Sequence, residues 1–245
     1  MKITIPELED LPWFPSKLRQ MQMEFIGFMV VMFKVYQPLL TVIKQSLAKS
    51  NTRNILDLCT GSGEPIRNLV TSERIADSII LSDLYPRPKI ETGDFIWNVE
   101  SLNALESHNE LSGMRTMFNA YHHFSEEEKL KLLEIHSRNG IFIAEILQPN
   151  IFNLLKIIFT TILGQLVFAP FVKPFSFQRI LFTYLIPINL ITITLDGIIS
   201  VLKSQRPRSM FKQVKENFNS DYQFDCGVSG PFWARVTWIY LKKHE

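Results

Sequence analysis

The chain has 245 residues, 46% hydrophobic, 20% charged and 12% aromatic, which is too apolar for a disordered segment and long enough for one full α/β core. Its 26 Lys and Arg against 24 Asp and Glu leave a formal charge of +2, so no nucleic-acid partner is expected. Two cysteines, Cys59 and Cys226, are too few for a structural zinc site or a disulfide framework, and a reducing compartment follows.

The N-terminus carries an acidic run, Glu7-Leu8-Glu9-Asp10, where a secretory leader would be basic and then apolar, so export is not expected. After Trp13-Phe14-Pro15, an apolar stretch from Leu18 to Leu47 predicts helix, broken at Pro38. Residues 1–50 are thus expected to form a helical cap. A strand over Asn54 to Leu58 then runs into a glycine loop and a helix from Pro65 to Val70. A second strand, Ser78 to Leu81, ends at Ser82-Asp83, and a third is expected near Asp94 to Val99. Arg115 to Phe118 and Gly140 to Ile146 read as two more strands. Between them a charged helix begins after Ser125, an N-cap followed by three glutamates that complement the helix dipole. Strands spaced by helices imply a parallel sheet with right-handed crossovers.

An apolar block interrupts this alternation. Residues 151–172 hold 15 apolar side chains of 22, with Lys156 the single charge, and residues 180–202 hold 15 of 23, with Asp196 the single charge. Both segments are long enough to raise membrane spanning. Their polar residues recur at helical spacing, however: Asn153, Lys156, Thr160 and Gly164 in one, Asn189, Thr192, Asp196, Ser200 and Lys203 in the other. That pattern favours a lid over a lipophilic pocket, or an element lying in the membrane interface, above a true span. A helix from Met210 to Phe218 and two β-rich runs, Gln223 to Gly227 and Ala234 to Leu241, complete the chain. The core is therefore expected over 51–147 and 206–245, with 148–205 an inserted helical unit.

The sharpest chemical signal is Asp57-Leu58-Cys59-Thr60-Gly61-Ser62-Gly63-Glu64-Pro65. Gly61 and Gly63 allow a tight turn and a close backbone approach to a ligand, and the following helix points its N-terminus at that ligand. The loop lacks the Gly-Lys-Ser/Thr ending of a triphosphate cradle. Ile66 stands where a dinucleotide fingerprint needs its third glycine, which argues against a nicotinamide cofactor. Asp83 is placed at the end of the second strand to accept from ribose hydroxyls.

These residues resemble the class I methyltransferases that use S-adenosylmethionine. The likeness covers about residues 50–146 and 210–243. It implies a Rossmann-like, mostly parallel seven-stranded sheet with an antiparallel C-terminal strand. It further implies that Asp57, Gly61 and Gly63 hold the methionine part of S-adenosylmethionine, Asp83 the ribose, and Glu100 and Ser101 the adenine side. Cys59 stands where the family has its first glycine, so the turn there must tolerate a β-carbon. Asn119-Ala120-Tyr121-His122-His123 resembles the segment beside the transferred methyl, with Asn119 toward the cofactor and His122 a candidate general base.

Tyr121, His123, Glu145, Tyr184 and Asp196 are the candidates for lining the substrate pocket. Adjacent histidines are expected to point apart, so no metal site is assigned to His122 and His123. The function expected is methylation of a hydrophobic small molecule, with the acceptor atom open. The alternative is a non-catalytic, membrane-associated binding protein on the same fold. The expected location is the cytoplasm, with peripheral contact at the inner face of a membrane allowed.

Overall fold

The structure, a computed structural model, describes residues 5–86, 95–98 and 100–244. Two helices, α1 (Ser16–Met32) and α2 (Leu40–Lys49), precede the sheet and are separated by a 3-10 turn at Gln37–Leu39 that contains Pro38. Then follow β1 (Asn54–Leu58), α3 (Ile66–Glu73), β2 (Ser78–Leu81), β3 (Phe95–Trp97), β4 (Met114–Phe118), α4 (Glu126–His136) and β5 (Ile141–Glu145). Helices α5 (Ile151–Phe168), α6 (Phe177–Ile180) and α7 (Ile188–Lys203) form the apolar block. The chain ends with α8 (Pro207–Asn217), β6 (Tyr222–Ser229) and β7 (Val236–Lys243). Of the expected third strand, Asp94 and Val99 lie outside the described residues.

The strands form one seven-stranded sheet in the order β3-β2-β1-β4-β5-β7-β6. β1 to β5 are mutually parallel, β7 runs antiparallel to β5, and β6 antiparallel to β7. The expected fold class is therefore observed. Alternation along β1 sorts the core: Ile55 packs with α2 and α3 on one face, Leu56 and Leu58 with α4 and α8 on the other. Helix α4 starts with a capping box, in which the Glu128 amide donates to Ser125 Oγ and the Ser125 amide to the Glu128 carboxylate. The order of the strands reverses between β1 and β4, and ligands of open α/β sheets bind beyond the carboxyl ends of the strands at such a point.

The apolar block does not extend the sheet. It packs on α1 through Phe25, Val172 and Ile193, with Phe28, Met29 and Phe168 around them. Small residues permit the close approach: a Cβ on Gly164 would meet Met29 at 3.1 Å, and one on Gly197 would meet Ile157 at 2.6 Å. Arg179, 1% exposed, anchors the block by pairing with the buried Glu24 of α1, and also donates to the carbonyls of Val172 (2.7 Å) and Pro174 (3.0 Å). A π-turn at Leu181–Leu185 precedes Pro187, and the axes on either side of it meet at 80°. The chain thus turns a full corner at Pro187.

Helices α5 and α7 are amphipathic in the reverse sense. Asn153, Thr161, Gln165, Asn189, Thr192, Asp196 and Ser200 are buried, and the Asn189 amide donates to Gln165 Oε1 at 2.9 Å. Phe152, Leu155, Phe159, Leu163 and Val167 of α5, and Leu185, Ile191 and Leu195 around α7, are exposed. Among the described residues, the helical stretch Ile151–Phe171 is long and apolar enough to cross a membrane, with 22% of its most apolar window buried.

Candidate active site

A cavity of about 750 Å³ opens beyond the carboxyl ends of β1 and β4, floored by the sheet loops and roofed by α1, α7 and the N-terminal segment. Its size suits a small organic ligand. The glycine loop forms one wall. Asp57, 3% exposed, lies beneath the loop and accepts from the hydroxyls of Thr60 (2.6 Å) and Thr116 (2.5 Å). Burial, opposed by the Thr116 and Thr60 hydrogen bonds and reinforced by the nearby Asp83, pushes its carboxyl up to about 7. Asp57 therefore shapes the loop from below, and its carboxylate is not among the groups facing the cavity.

Cys59 adopts φ +54°, the left-handed conformation that its β-carbon must tolerate here, and Gly61 (φ +54°) and Gly63 (φ +83°) continue the turn. At Gly63 space matters too, because a Cβ would meet Trp97 at 2.8 Å. Asp83 faces the cavity from the end of β2. Its Oδ2 accepts from the Gly61 amide (2.9 Å) and its Oδ1 from the Tyr85 amide (3.0 Å). Asn119, also in a left-handed conformation (φ +52°), lines the cavity with a buried Oδ1 that has no hydrogen-bond partner. A buried amide oxygen in that state calls for a donor from a ligand.

Opposite this wall stand two histidines. His122, 3% exposed, shares its Nδ1 with the Glu145 carboxylate at 2.8 Å, and the other oxygen of Glu145 accepts from the Tyr121 amide at 2.7 Å. With Nδ1–H donating to Glu145, the neutral ring presents an Nε2 lone pair. His123 Nδ1 pairs with Asp10 at 2.9 Å. Burial alone would lower its pKa, but Glu7, Asp10 and Glu9 hold it up at about 10. Glu7, 1% exposed, accepts from Lys203 (3.1 Å) and from the Ser200 hydroxyl. Glu9 is pushed up to about 8 by burial, offset by His123 and reinforced by Glu7, Asp196 and Asp10. Asp196 receives the Leu8 amide at 2.6 Å and the Glu9 amide at 3.2 Å, and burial raises it to about 6. The α7 carboxylate thereby fixes the N-terminal turn over the histidines.

Several expected positions differ. The two imidazoles do not point apart: their centroids lie 4.5 Å apart at 36°, because the 3-10 turn Tyr121–His123 sets them side by side and Glu145 and Asp10 fix each ring. Glu100 is exposed at the surface, and the Ser101 hydroxyl donates to the Leu84 carbonyl, so neither joins the cavity wall, where Leu102 and Asn103 are found. Tyr121 is buried in the core face of α4, and Glu145 reaches the cavity only through His122. Tyr184, 46% exposed, turns outward and donates to the Leu166 carbonyl at 2.6 Å. Glu7, Glu9 and Asp10 were not expected at the site at all. Three carboxylates spaced around a single leucine were the available signal.

No family model matches the chain, and no curated protein matches it. Among solved structures, the plantazolicin methyltransferase BpumL with a pentazolic desmethylPZN analog and SAH is similar at 12% identity and TM-score 0.50, over 94% of this chain and 99% of that one. The same enzyme with a monoazolic analog is similar at 11% identity and TM-score 0.50, over 94% and 98%. Human N-acetylserotonin methyltransferase with SAM shows 13% identity and TM-score 0.48, over 89% of this chain and 55% of that one. The likeness to BpumL establishes the architecture: the chain has the Rossmann-like fold of that methyltransferase.

Proposed function

We propose that the protein is an S-adenosylmethionine-dependent methyltransferase acting on a lipophilic small molecule. The observation that carries this reading is that the glycine loop, Asp83 and the partnerless Asn119 Oδ1 border the same cavity as the His122–Glu145 pair. The residues fit the cofactor: Asp83 would take ribose hydroxyls, Asn119 Oδ1 a donor such as the methionine ammonium, and the loop backbone around Gly61 and Gly63 the same end of the molecule. The cofactor supplies a methyl already activated by its sulfonium. The protein's own work is then alignment and exclusion of water. His122 Nε2 would take the proton the acceptor gives up when the methyl–sulfur bond is exchanged for a methyl–acceptor bond, with S-adenosylhomocysteine as the leaving group, and Glu145 would stabilise the resulting imidazolium.

The test is calorimetric titration of the purified protein with S-adenosylhomocysteine. Saturable binding of one molecule per chain at micromolar Kd is expected. Absence of binding by a folded protein would overturn the reading and favour a binding protein without catalysis.

The substrate class follows from the cap. Phe152, Phe159, Leu163 and Leu185 are exposed on elements whose polar side chains turn inward, the reverse of the pattern of a water-facing helix. This reversal suits a bilayer interface, with α5 and the Pro187 corner seated among acyl chains and the cavity filled from the membrane side. Flotation with phosphatidylcholine vesicles is expected to carry the protein to the top of a density gradient, and the pair Phe159→Glu and Leu163→Glu to leave it at the bottom. Wild-type protein that stays at the bottom would remove the membrane assignment and leave the cap as a lid.

A further inference from the structure

The methyl-transfer reading uses His122 and Glu145 but gives no role to His123, Asp10 or Glu7, and an ion held at His122 Nε2 would stand in for that nitrogen in activating the acceptor. Each ring has its Nδ1 committed to a carboxylate, His122 to Glu145 at 2.8 Å and His123 to Asp10 at 2.9 Å. The remaining nitrogens both face one carboxylate: His122 Nε2 lies 3.9 Å from Glu7 Oε1 and His123 Nε2 3.7 Å from Glu7 Oε2. These separations are too long for hydrogen bonds. They are close to the spacing two ligands take around one ion, since atoms each about 2.0–2.2 Å from a metal at the tetrahedral angle sit about 3.4 Å apart. One ligand atom from each of Glu7, His122 and His123 lies within 4.8 Å of the others.

We propose that Glu7, His122 and His123 form a binding site for a divalent transition-metal ion, with a further coordination position open to the cavity. Two imidazoles and one carboxylate are a donor set that suits Zn2+ or Fe2+ and is too nitrogen-rich for Mg2+ or Ca2+. Metal-bound histidines characteristically donate their second N–H to a carboxylate, which fixes the tautomer and aims the free nitrogen; here both do so. Lys203 sits 3.1 Å from Glu7 Oε1, on the carboxylate rather than between the rings, and each Glu7 oxygen keeps a second lone pair for an ion. Among the described residues, the Glu7, Asp10 and Glu145 carboxyls lie against the rings with Lys203 the cation paired to them, an arrangement that favours a divalent charge. All three ligands line the cavity, so the open position would meet an oxygen donor on the substrate, such as a hydroxyl or enolate. The site stands whether or not S-adenosylmethionine binds, because none of its ligands belongs to the glycine loop.

The test needs no turnover. Chelator-treated, full-length protein is titrated with Zn2+ alone by calorimetry. One ion per chain is expected at micromolar Kd or tighter. His123→Ala and Glu7→Gln are each expected to weaken binding at least 100-fold, Asp10→Asn to weaken it 10–100-fold, and His244→Gln, remote from the cavity, to change nothing. Absence of saturable binding by the wild type, or binding that survives both His123→Ala and Glu7→Gln, would overturn the proposal. Should those variants fail to fold, Co2+ added to the wild type decides: visible d–d absorption saturating at one equivalent supports the site, and a featureless spectrum refutes it.

Discussion

Asp83→Ala is expected to lower affinity for S-adenosylhomocysteine at least 100-fold while leaving the sheet intact. Asp83 serves two ends of the same problem. Its Oδ2 receives the Gly61 amide and its Oδ1 the Tyr85 amide, so it holds the loop on one side of the cavity while facing that cavity from the end of β2. Truncation removes the acceptor for ribose hydroxyls and frees the loop together. A hydrogen bond to a charged group contributes about 1.5–3 kcal/mol, and two ribose hydroxyls on one carboxylate give two such bonds. Asp83→Asn separates the two effects, since it keeps one acceptor and loses the charge; it should bind with intermediate affinity. Calorimetry at matched pH and circular dichroism of both variants measure this, and wild-type affinity in a folded Asp83→Ala would show that the cofactor does not sit on this wall.

Arg179→Met is expected to destabilise the protein by about 3–5 kcal/mol, because it leaves Glu24 buried opposite an apolar side chain. Glu24 is 6% exposed, and although it also accepts from the Gln20 side-chain amide at 2.7 Å, the variant takes away the guanidinium charge that faces it. For a chain of this length the loss corresponds to a drop in Tm of about 10 °C. The double variant Glu24→Gln and Arg179→Met removes both charges and should recover most of it. Thermal unfolding of the two single variants and the double checks the claim; a double variant no more stable than Arg179→Met would mean that the carbonyl contacts to Val172 and Pro174, and not the ion pair, anchor the block.

The sheet was legible in the sequence because its strands are the simplest signal available. β1 and β5 are buried along almost their whole length and β2 on one face, and these three read as short, largely apolar runs between turn residues; β4, equally buried, carries Arg115 and Thr116 within its run. The glycine loop and Asp83 were legible for a related reason: they sit in sequence next to strands whose direction fixes where their side chains go. His122 followed from the same logic at the end of β4.

The other half of the site was not local. Asp10 meets His123 across 113 positions, and Asp196 meets Leu8 across 188. The polar stripe of α7 was visible as a stripe, but periodicity gives a face without saying what covers it, and here the N-terminal turn covers it. Glu100 was placed by resemblance and Tyr184 as a candidate for the pocket; Glu100 lies exposed after β3, and the π-turn Leu181–Leu185 directs Tyr184 outward. The inward direction of the polar residues in α5 likewise comes from packing on α7, where Gln165 meets Asn189 and Thr161 meets Thr194, and no window of one helix contains that.

The short turn Leu8–Asp10 has little internal structure of its own, yet it brings Glu9 and Asp10 to the histidine pair, with Glu7 just before it, and is moored by the carboxylate of α7. Segments of this kind are the usual choice when a chain is shortened to improve its handling. Cutting before Leu11 would leave every strand and long helix in place and still delete three cavity-lining side chains. A protein trimmed in that way would keep the residues of its sheet while being, at its chemical centre, a different molecule.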